Sequence, residues 1–257
     1  MRIVFIGDVV GSNGIDILRR RLPSVKKRYN ADVCIVNGEN SHPSGTGMTR
    51  AEARELVNCG ADVITGGNHS LRKCSMDLYE ETDYILCPAN FLGAGEKCGV
   101  YVLDLGRDSI CVINLIGSAF MDAHGNPFFR LDEILKKTDV KNILVDFHRE
   151  ATSEKAAFGW YADGRVGRVI GTHTHVQTND DTILPGGTAY ITDAGSVSAM
   201  DSVLGVDIDA AVTKQKLHRP VRFTVRKGRG YMCGVFVETD ENGRAVRIEK
   251  IRTPVDI

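Results

Sequence analysis

The chain has 257 residues, 42% hydrophobic and 25% charged, which is enough for one large α/β domain or two small ones around a sizeable core. Its 32 basic and 33 acidic side chains leave a net charge of −1, so no global field recruits nucleic acid or an anionic membrane. An anionic substrate has to be attracted locally. No run approaches the roughly 20 apolar residues that span a bilayer. The seven cysteines contain no C-x-x-C pair and lie mostly within apolar runs, and the opening "MRIVFIGDVVG" enters a strand pattern without a leader. Both features read as reduced core thiols in a cytoplasmic protein.

In chain order, β-rich runs fall at 2–8, 32–40, 62–69, 84–90, 110–117, 142–148, 168–175 and 188–195. Several are apolar on consecutive residues, as in strands buried on both faces. Helical patterns lie at about 14–29, at 49–59 behind the capping box Thr49-x-x-Glu52, and at about 72–82, 130–137 and 152–162. Strand alternating with helix predicts a layered α/β fold. Segments 221–228, 231–239 and 245–251 alternate apolar with polar residues and predict a C-terminal β meander closing one side of the sheet. No repeat or Pro/Ser-rich linker divides the chain, so residues 1–257 read as a single domain. Arg19, Arg20, Arg21, Lys26, Lys27 and Arg28 fall on the first helix as a solvated face, since no aromatics interleave with them.

Five of the apolar runs end in side chains able to ligate a metal: Asp8, then Glu39 and Asn40, then Asn68 and His69, then His148, then His173 and His175. Parallel strands deliver their carboxyl ends to one edge, where open α/β folds place ligand sites. The period of two along a strand puts His173 and His175 on one side and Thr174 on the other. Any one of these residues alone reads as a hydrogen-bonded structural group, a turn former or a cap. Two carboxylates, two amides and four imidazoles together read as a metal site.

No thiolate joins the set, which argues against a structural cysteine-type zinc site. Imidazole, carboxylate and amide oxygen suit manganese, iron or catalytic zinc, and there are more donors than one ion can use. Two divalent ions about 3.5–4 Å apart, bridged by Glu39, absorb them. Their charge of +4, less two carboxylates and a bridging hydroxide, leaves roughly +1 for an anion, and a phosphate ester fits. The predicted chemistry is attack of a metal-bound hydroxide on phosphorus with no covalent enzyme intermediate.

The motifs "GDVVG" (7–11), "NGEN" (37–40), "GGNH" (66–69), "DFHREATSEK" (146–155), "GTHTHVQT" (171–178) and "ILPGGTAYITDAG" (183–195), with "PVRFTV" (220–225), resemble the bacterial YmdB-type branch of the calcineurin-like metallophosphoesterases. The resemblance covers essentially the whole chain. It implies a metallophosphoesterase-like layered sheet flanked by helices, two divalent ions and phosphodiesterase activity, including on cyclic nucleotides. It further implies that Asp8, Glu39, Asn40 and His175 hold one ion and Glu39, Asn68, His148 and His173 the other, while His69 contacts the phosphate and protonates the leaving oxygen. The wider superfamily opens with D-x-H; here Asp8-Val9-Val10 lacks that histidine, and Asn40 is the substitute the branch implies. Arg149 stands where the family carries alanine, a change bearing on charge or subunit packing near the site. The loop "SVSAMDSV" (196–203) differs from the family's Gly/Pro-bearing version, which bears on substrate shape.

The glycines of "GDVVGSNG" shape the turn that carries Asp8; there is no G-K-[ST] to make a nucleotide loop. "SHPSGTG" (41–47) has the composition of a mobile cover, with His42 either touching phosphate or lying plainly on the surface. A Ser/His/Asp hydrolase lacks its G-x-S-x-G elbow. The rivals that stay open are a phosphomonoesterase and a regulator that senses metal or nucleotide, or binds RNA, without turnover. The expected partner is a phosphate-ester small molecule, a nucleotide in particular. No membrane is expected, and a homo-oligomer and RNA regulation are both compatible with the sequence.

Overall fold

The computed structural model describes residues 1–74, 76–91, 95, 98–122 and 124–256. In chain order the strands are β1 (Arg2–Ile6), β2 (Asp8–Val9), β3 (Val33–Asn37), β4 (Val63–Thr65), β5 (Val100–Asp104), β6 (Ser109–Ile116), β7 (Asn142–His148), β8 (Arg168–Thr172), β9 (Thr182–Ile183), β10 (Ala189–Ile191), β11 (Ser196–Ala199), β12 (Gly230–Thr239) and β13 (Ala245–Val255). The helices are α1 (Gly11–Tyr29), α2 (Arg50–Cys59), α3 (Asp77–Glu80), α4 (Pro127–Leu135), α5 (Thr152–Ala162) and α6 (Ile208–Leu217).

Two sheets result. In the first, β1, β3 and β4 are parallel, and β12 runs antiparallel to β1, β11 and β13. In the second, β6, β7, β8 and β10 are parallel between antiparallel edges β5 and β9. Side-chain alternation fixes how the layers stack. Ile3 and Phe5 of β1 join Ile110, Val112, Leu144 and Ile170 in a core between the sheets, whereas Val4 and Ile6 meet Ile17, Leu18 and Leu56 of α1 and α2. Phe147 turns the other way from Leu144, into a third core with Phe158 of α5 and Leu131 of α4. Both faces of each sheet are thus covered, which is why these strands read as unbroken apolar runs. The mixed α/β class and the helix-flanked layering follow the sequence expectation.

The capping box of α2 forms as the sequence predicts: Thr49 Oγ1 accepts from Ala51 N at 3.2 Å, and Glu52 accepts from Thr49 N at 2.9 Å. Other expectations fail for local reasons. Run 84–90 makes one bridge, Ile64 to Ile85, before its hydrogen bonds leave β4 for Cys98 and Asn114 around Pro88, which has no N–H to donate. Segment 221–228 contributes a single bridge, Val225 to Val206, so the meander reduces to the hairpin of β12 and β13. That hairpin does not merely close a side: β12 lies inside the first sheet, pairing with β11 through Gly230–Met232, with β1 through Gly234–Glu238 and with β13 along its length. Helix 72–82 shrinks to the single turn of α3, and position 75 lies outside the described residues. Among the described residues no helix is long and apolar enough to cross a membrane.

Phe5 is fully buried in the layer between the sheets. Phe5→Ala is expected to lower the unfolding free energy by about 3–5 kcal/mol in a denaturant titration; a loss under about 1 kcal/mol is incompatible with this layering.

Candidate metal centre

The carboxyl ends of the parallel strands in both sheets meet at one end of the molecule. Asp8 opens β2 directly after β1, Glu39 and Asn40 follow β3, and Asn68 and His69 follow β4. His148 is the last residue of β7, and His173 and His175 follow β8. The single sheet edge expected from sequence is therefore two edges, one from each sheet, facing each other.

All eight side chains form one connected group. Asn40 Nδ2 lies 3.0 Å from Glu39 Oε1 and 3.1 Å from His175 Nε2, which in turn is 3.9 Å from Asp8 Oδ1. His148 Nε2 lies 2.9 Å from Asn68 Oδ1, 3.0 Å from His173 Nδ1 and 3.3 Å from Glu39 Oε1. Glu39, His148 and His173 have ligand atoms within 4.8 Å of one another, so one ion can touch all three. His69 donates its backbone N–H to Glu39 Oε2 at 2.9 Å, and its Nδ1 is 2.7 Å from Asn40 Oδ1. For Asn40 to ligate through oxygen its amide must turn over, which exchanges two atoms and leaves the rest in place.

The electrostatics favour a cation. Asp8 and Glu39 are 0% and 1% exposed, and Asp8 Oδ1 has no hydrogen-bond partner among the described residues. An orphaned, buried carboxylate oxygen is costly unless a positive charge meets it. Burial raises the Asp8 carboxyl above its ordinary value. Burial also presses Glu39 upward, but His148 and His69 hold it well below the usual carboxylate range. Burial pulls His148 down, and the charge and hydrogen bond of Glu39, then Asp8 and Asp146, pull it up to about 9. His173, pushed down by burial and by the neighbouring His148 cation, sits at about 3. A Cβ on residue 67 would lie 2.1 Å from Glu39 Oε2 and 2.5 Å from His148 Nε2, so only glycine leaves the space between these ligand atoms clear. The donor set, the orphaned oxygen and the cleared space all fit divalent ions.

The strand-period argument for His173 and His175 does not hold. β8 stops at Thr172, and both histidines sit in the left-handed region, at φ 109° and 64°. That conformation costs on the order of 1–3 kcal/mol per non-glycine residue and persists only where its surroundings fix it. Here His173 N donates to Asp8 Oδ2 at 3.2 Å and Thr174 N to Asp193 Oδ2 at 2.9 Å. Asp193 is itself held by the buried Lys155 ammonium at 2.7 Å.

Comparison with known proteins then places the chain. The family model described as YmdB-like protein matches residues 4–251. The chain belongs to the YmdB-like family. A Bacillus subtilis (strain 168) protein named 2′,3′-cyclic-nucleotide 2′-phosphodiesterase is 42% identical over 255 residues, covering 98% of this chain and 96% of that one. The crystal structure of a novel phosphatase from Mycoplasma pneumoniae superposes with a TM-score of 0.92 at 33% identity, over 100% of this chain and 94% of that one. A hypothetical protein from Thermus thermophilus superposes with a TM-score of 0.91 at 34% identity, over 99% of both chains.

Several residues of this family member matter to the centre although the sequence pattern does not single them out. Asp146, fully buried and pushed up to about 6 by that burial, accepts from Thr65 Oγ1 at 2.5 Å, Thr172 Oγ1 at 2.7 Å and Asn37 Nδ2 at 2.9 Å. Because the Thr172 hydroxyl donates to Asp146, it must accept from His148 Nδ1–H at 2.9 Å. In a neutral His148 ring this leaves Nε2 as the lone-pair atom, aimed at Glu39 and His173. A signal was available: Asp146 precedes His148 by two residues on one strand and shares its face.

Arg149 is fully buried: it pairs with Glu154 and donates to the Ala119 carbonyl at 3.1 Å. Its charge is met by Glu154. His42 is engaged by Ser44 at 2.8 Å, and bonds between His42, Gly45 and Gly47 fold the 41–47 loop on itself. Residues 196–199 form β11 beside β2.

Thr172→Val is expected to weaken divalent-metal affinity about 10–100-fold in a chelator competition, as loss of an outer partner of a ligating histidine does, while Thr172→Ser keeps it. Equal affinity in the valine variant would remove the relay from this account.

Proposed function

We propose that the protein is a phosphodiesterase using a paired-cation centre, in which Asp8, Glu39, Asn40 and His175 hold one ion and Glu39, Asn68, His148 and His173 the other. The observation that carries this reading is the fully buried Asp8 Oδ1, without a hydrogen-bond partner among the described residues, beside the Glu39, His148 and His173 cluster. The mixed donor set supports iron or manganese, with zinc as the alternative. Divalent ions there would activate water and neutralise the phosphoryl charge.

The chain's own groups supply the rest. His69 is partly exposed, its Nδ1 is occupied by Asn40, and its Nε2 has no partner among the described residues. That atom is the proton source for the leaving oxygen. The name of the Bacillus subtilis relative supports a 2′,3′-cyclic nucleotide as substrate. Water adds its oxygen to phosphorus, the P–O2′ bond breaks, and O2′ takes the proton, leaving a 3′-phosphate and a 2′-hydroxyl. Residues 1–257 act as one catalytic domain, a reading supported by the core the two sheets share. A cytoplasmic location is supported by the seven free cysteines, of which all but Cys74 are buried.

Purified protein supplied with manganese is expected to hydrolyse bis(p-nitrophenyl) phosphate and 2′,3′-cyclic AMP, and a chelator to abolish both activities. His69→Ala should keep its metal and lose about 10²–10⁴ in rate. If that variant matches the parent, the acid is misassigned; if the parent itself turns over neither ester, the centre senses rather than hydrolyses. Asp8→Asn and Glu39→Gln should each lower metal content, and full occupancy in both sinks the ligand assignment.

A further inference from the structure

Between positions 210 and 237 the chain carries seven lysines and arginines and no acidic residue, within a molecule of net charge −1. Arg226 and Arg229 pair with Asp207 at 3.5 Å and Asp201 at 3.3 Å. Lys214, Lys216, Arg219, Arg222 and Lys227 are exposed and make no ion pair among the described residues. The cations are thus gathered in the last turn of α6 and on the extended segment after it.

This basic segment adjoins the metal centre. Val225 bridges to Val206 and fills the space over Gly11 and Gly45, just beyond Asp8 and Asn40 in the chain. The Leu204 carbonyl lies 3.0 Å from His175 Nδ1. Leu204 also separates two cavities. One, of about 400 Å³, is polar and runs from His175 past Ser196, Ser198 and Ser202 to Arg252, whose guanidinium stacks on Tyr231 at 4.3 Å and has no ion pair among the described residues. The other, of about 570 Å³, is apolar, lined by Val203, Val206, Val212 and Phe223, with Phe223 43% exposed and Val212 50%.

A polar pocket at the phosphoryl centre, then an apolar pocket carrying an exposed aromatic ring, then unpaired cations: this order matches a chain in which bases alternate with phosphates. A membrane surface asks for a protruding apolar face rather than a concave one leading to a hydrolytic centre. We propose that the natural substrate class extends beyond free nucleotides to single-stranded RNA ending in a 2′,3′-cyclic phosphate. The terminal nucleotide takes the polar cavity, the preceding base enters the apolar one against Phe223, and the phosphates behind it meet Arg219, Arg222 and Lys216. This rests on the phosphodiesterase reading above and uses the same step: water adds to phosphorus, the P–O2′ bond opens, and the RNA leaves with a 3′-phosphate and a 2′-hydroxyl.

The test is fluorescence anisotropy of the whole protein with a labelled RNA of about 8 nucleotides carrying the product 3′-phosphate, so that binding is read without turnover. Binding tighter than that of a 3′-mononucleotide is expected, falling with salt at a log–log slope of about −0.7 per phosphate contacted. Arg219→Glu with Arg222→Glu, and separately Phe223→Ala, should each weaken the RNA about fivefold or more. RNA bound no better than the mononucleotide, or equally by parent and variants, overturns the proposal. So does sedimentation with phosphatidylglycerol vesicles that is lost in the variants while the parent fails to bind RNA, which assigns the surface to membrane. Hydrolysis of 2′,3′-cyclic AMP by the parent, measured separately, tells failure of the phosphodiesterase reading from failure of the RNA track.

Discussion

Buried negative charge organises this molecule. Asp8, Glu39, Asp146 and Asp193 are at most 1% exposed, and each desolvated carboxylate must be compensated within the fold. Asp193 has Lys155, Asp146 has three donors, and Glu39 has two histidines. Asp8 keeps one oxygen that accepts no hydrogen bond among the described residues, with only His175 Nε2 near it at 3.9 Å. A fold that tolerates such a group gives up stability that a bound cation can restore. The surrounding geometry is consistent with that exchange: glycine at 67, the Thr172 hydroxyl fixing His148, and the strained backbone of His173 and His175 all hold donor atoms around one small volume.

The sequence was informative where chemistry is local. The apolar runs of β1, β3, β6 and β7 announced strands covered on both faces, and Thr49 with Glu52 announced α2. The eight polar residues behind these runs were recognisable as a group, and the structure brings all eight together. What stayed hidden was non-local. Nothing in the alternation of Ile3 and Phe5 reveals that their partners are Ile110 and Leu144 in another sheet, so one edge was expected where two converge. The tail showed the same limit: period-two patterning marked β12 and β13 but could not tell that β12 would sit inside the first sheet, or that Val225 would find its bridge to Val206 in a loop.

The histidine pair holds a narrower lesson. Two imidazoles separated by one residue suggested a strand; His173 does reach the Glu39 cluster and His175 reaches Asn40 and Asp8, but on left-handed backbone that pattern alone could not foresee. Their positions depend on Asp8 and on Asp193 with Lys155, residues distant in sequence whose polar atoms replace the missing strand ladder. Identity of residue type survived as a signal; conformation did not.

The placement of β12 also governs how the chain is made. β1 is separated by most of the described chain from its antiparallel neighbour, the segment Gly234–Glu238. The parallel strands of the second sheet, ending at Ile191, are complete well before then. At about 5–20 residues per second, the ribbon Ile3-Val4-Phe5-Ile6 waits on the order of ten to forty seconds on the ribosome with one edge unpaired. Without β12, the Arg2–Ile6 edge that it covers would present unpaired backbone N–H and C=O groups, the kind of edge that another strand can extend.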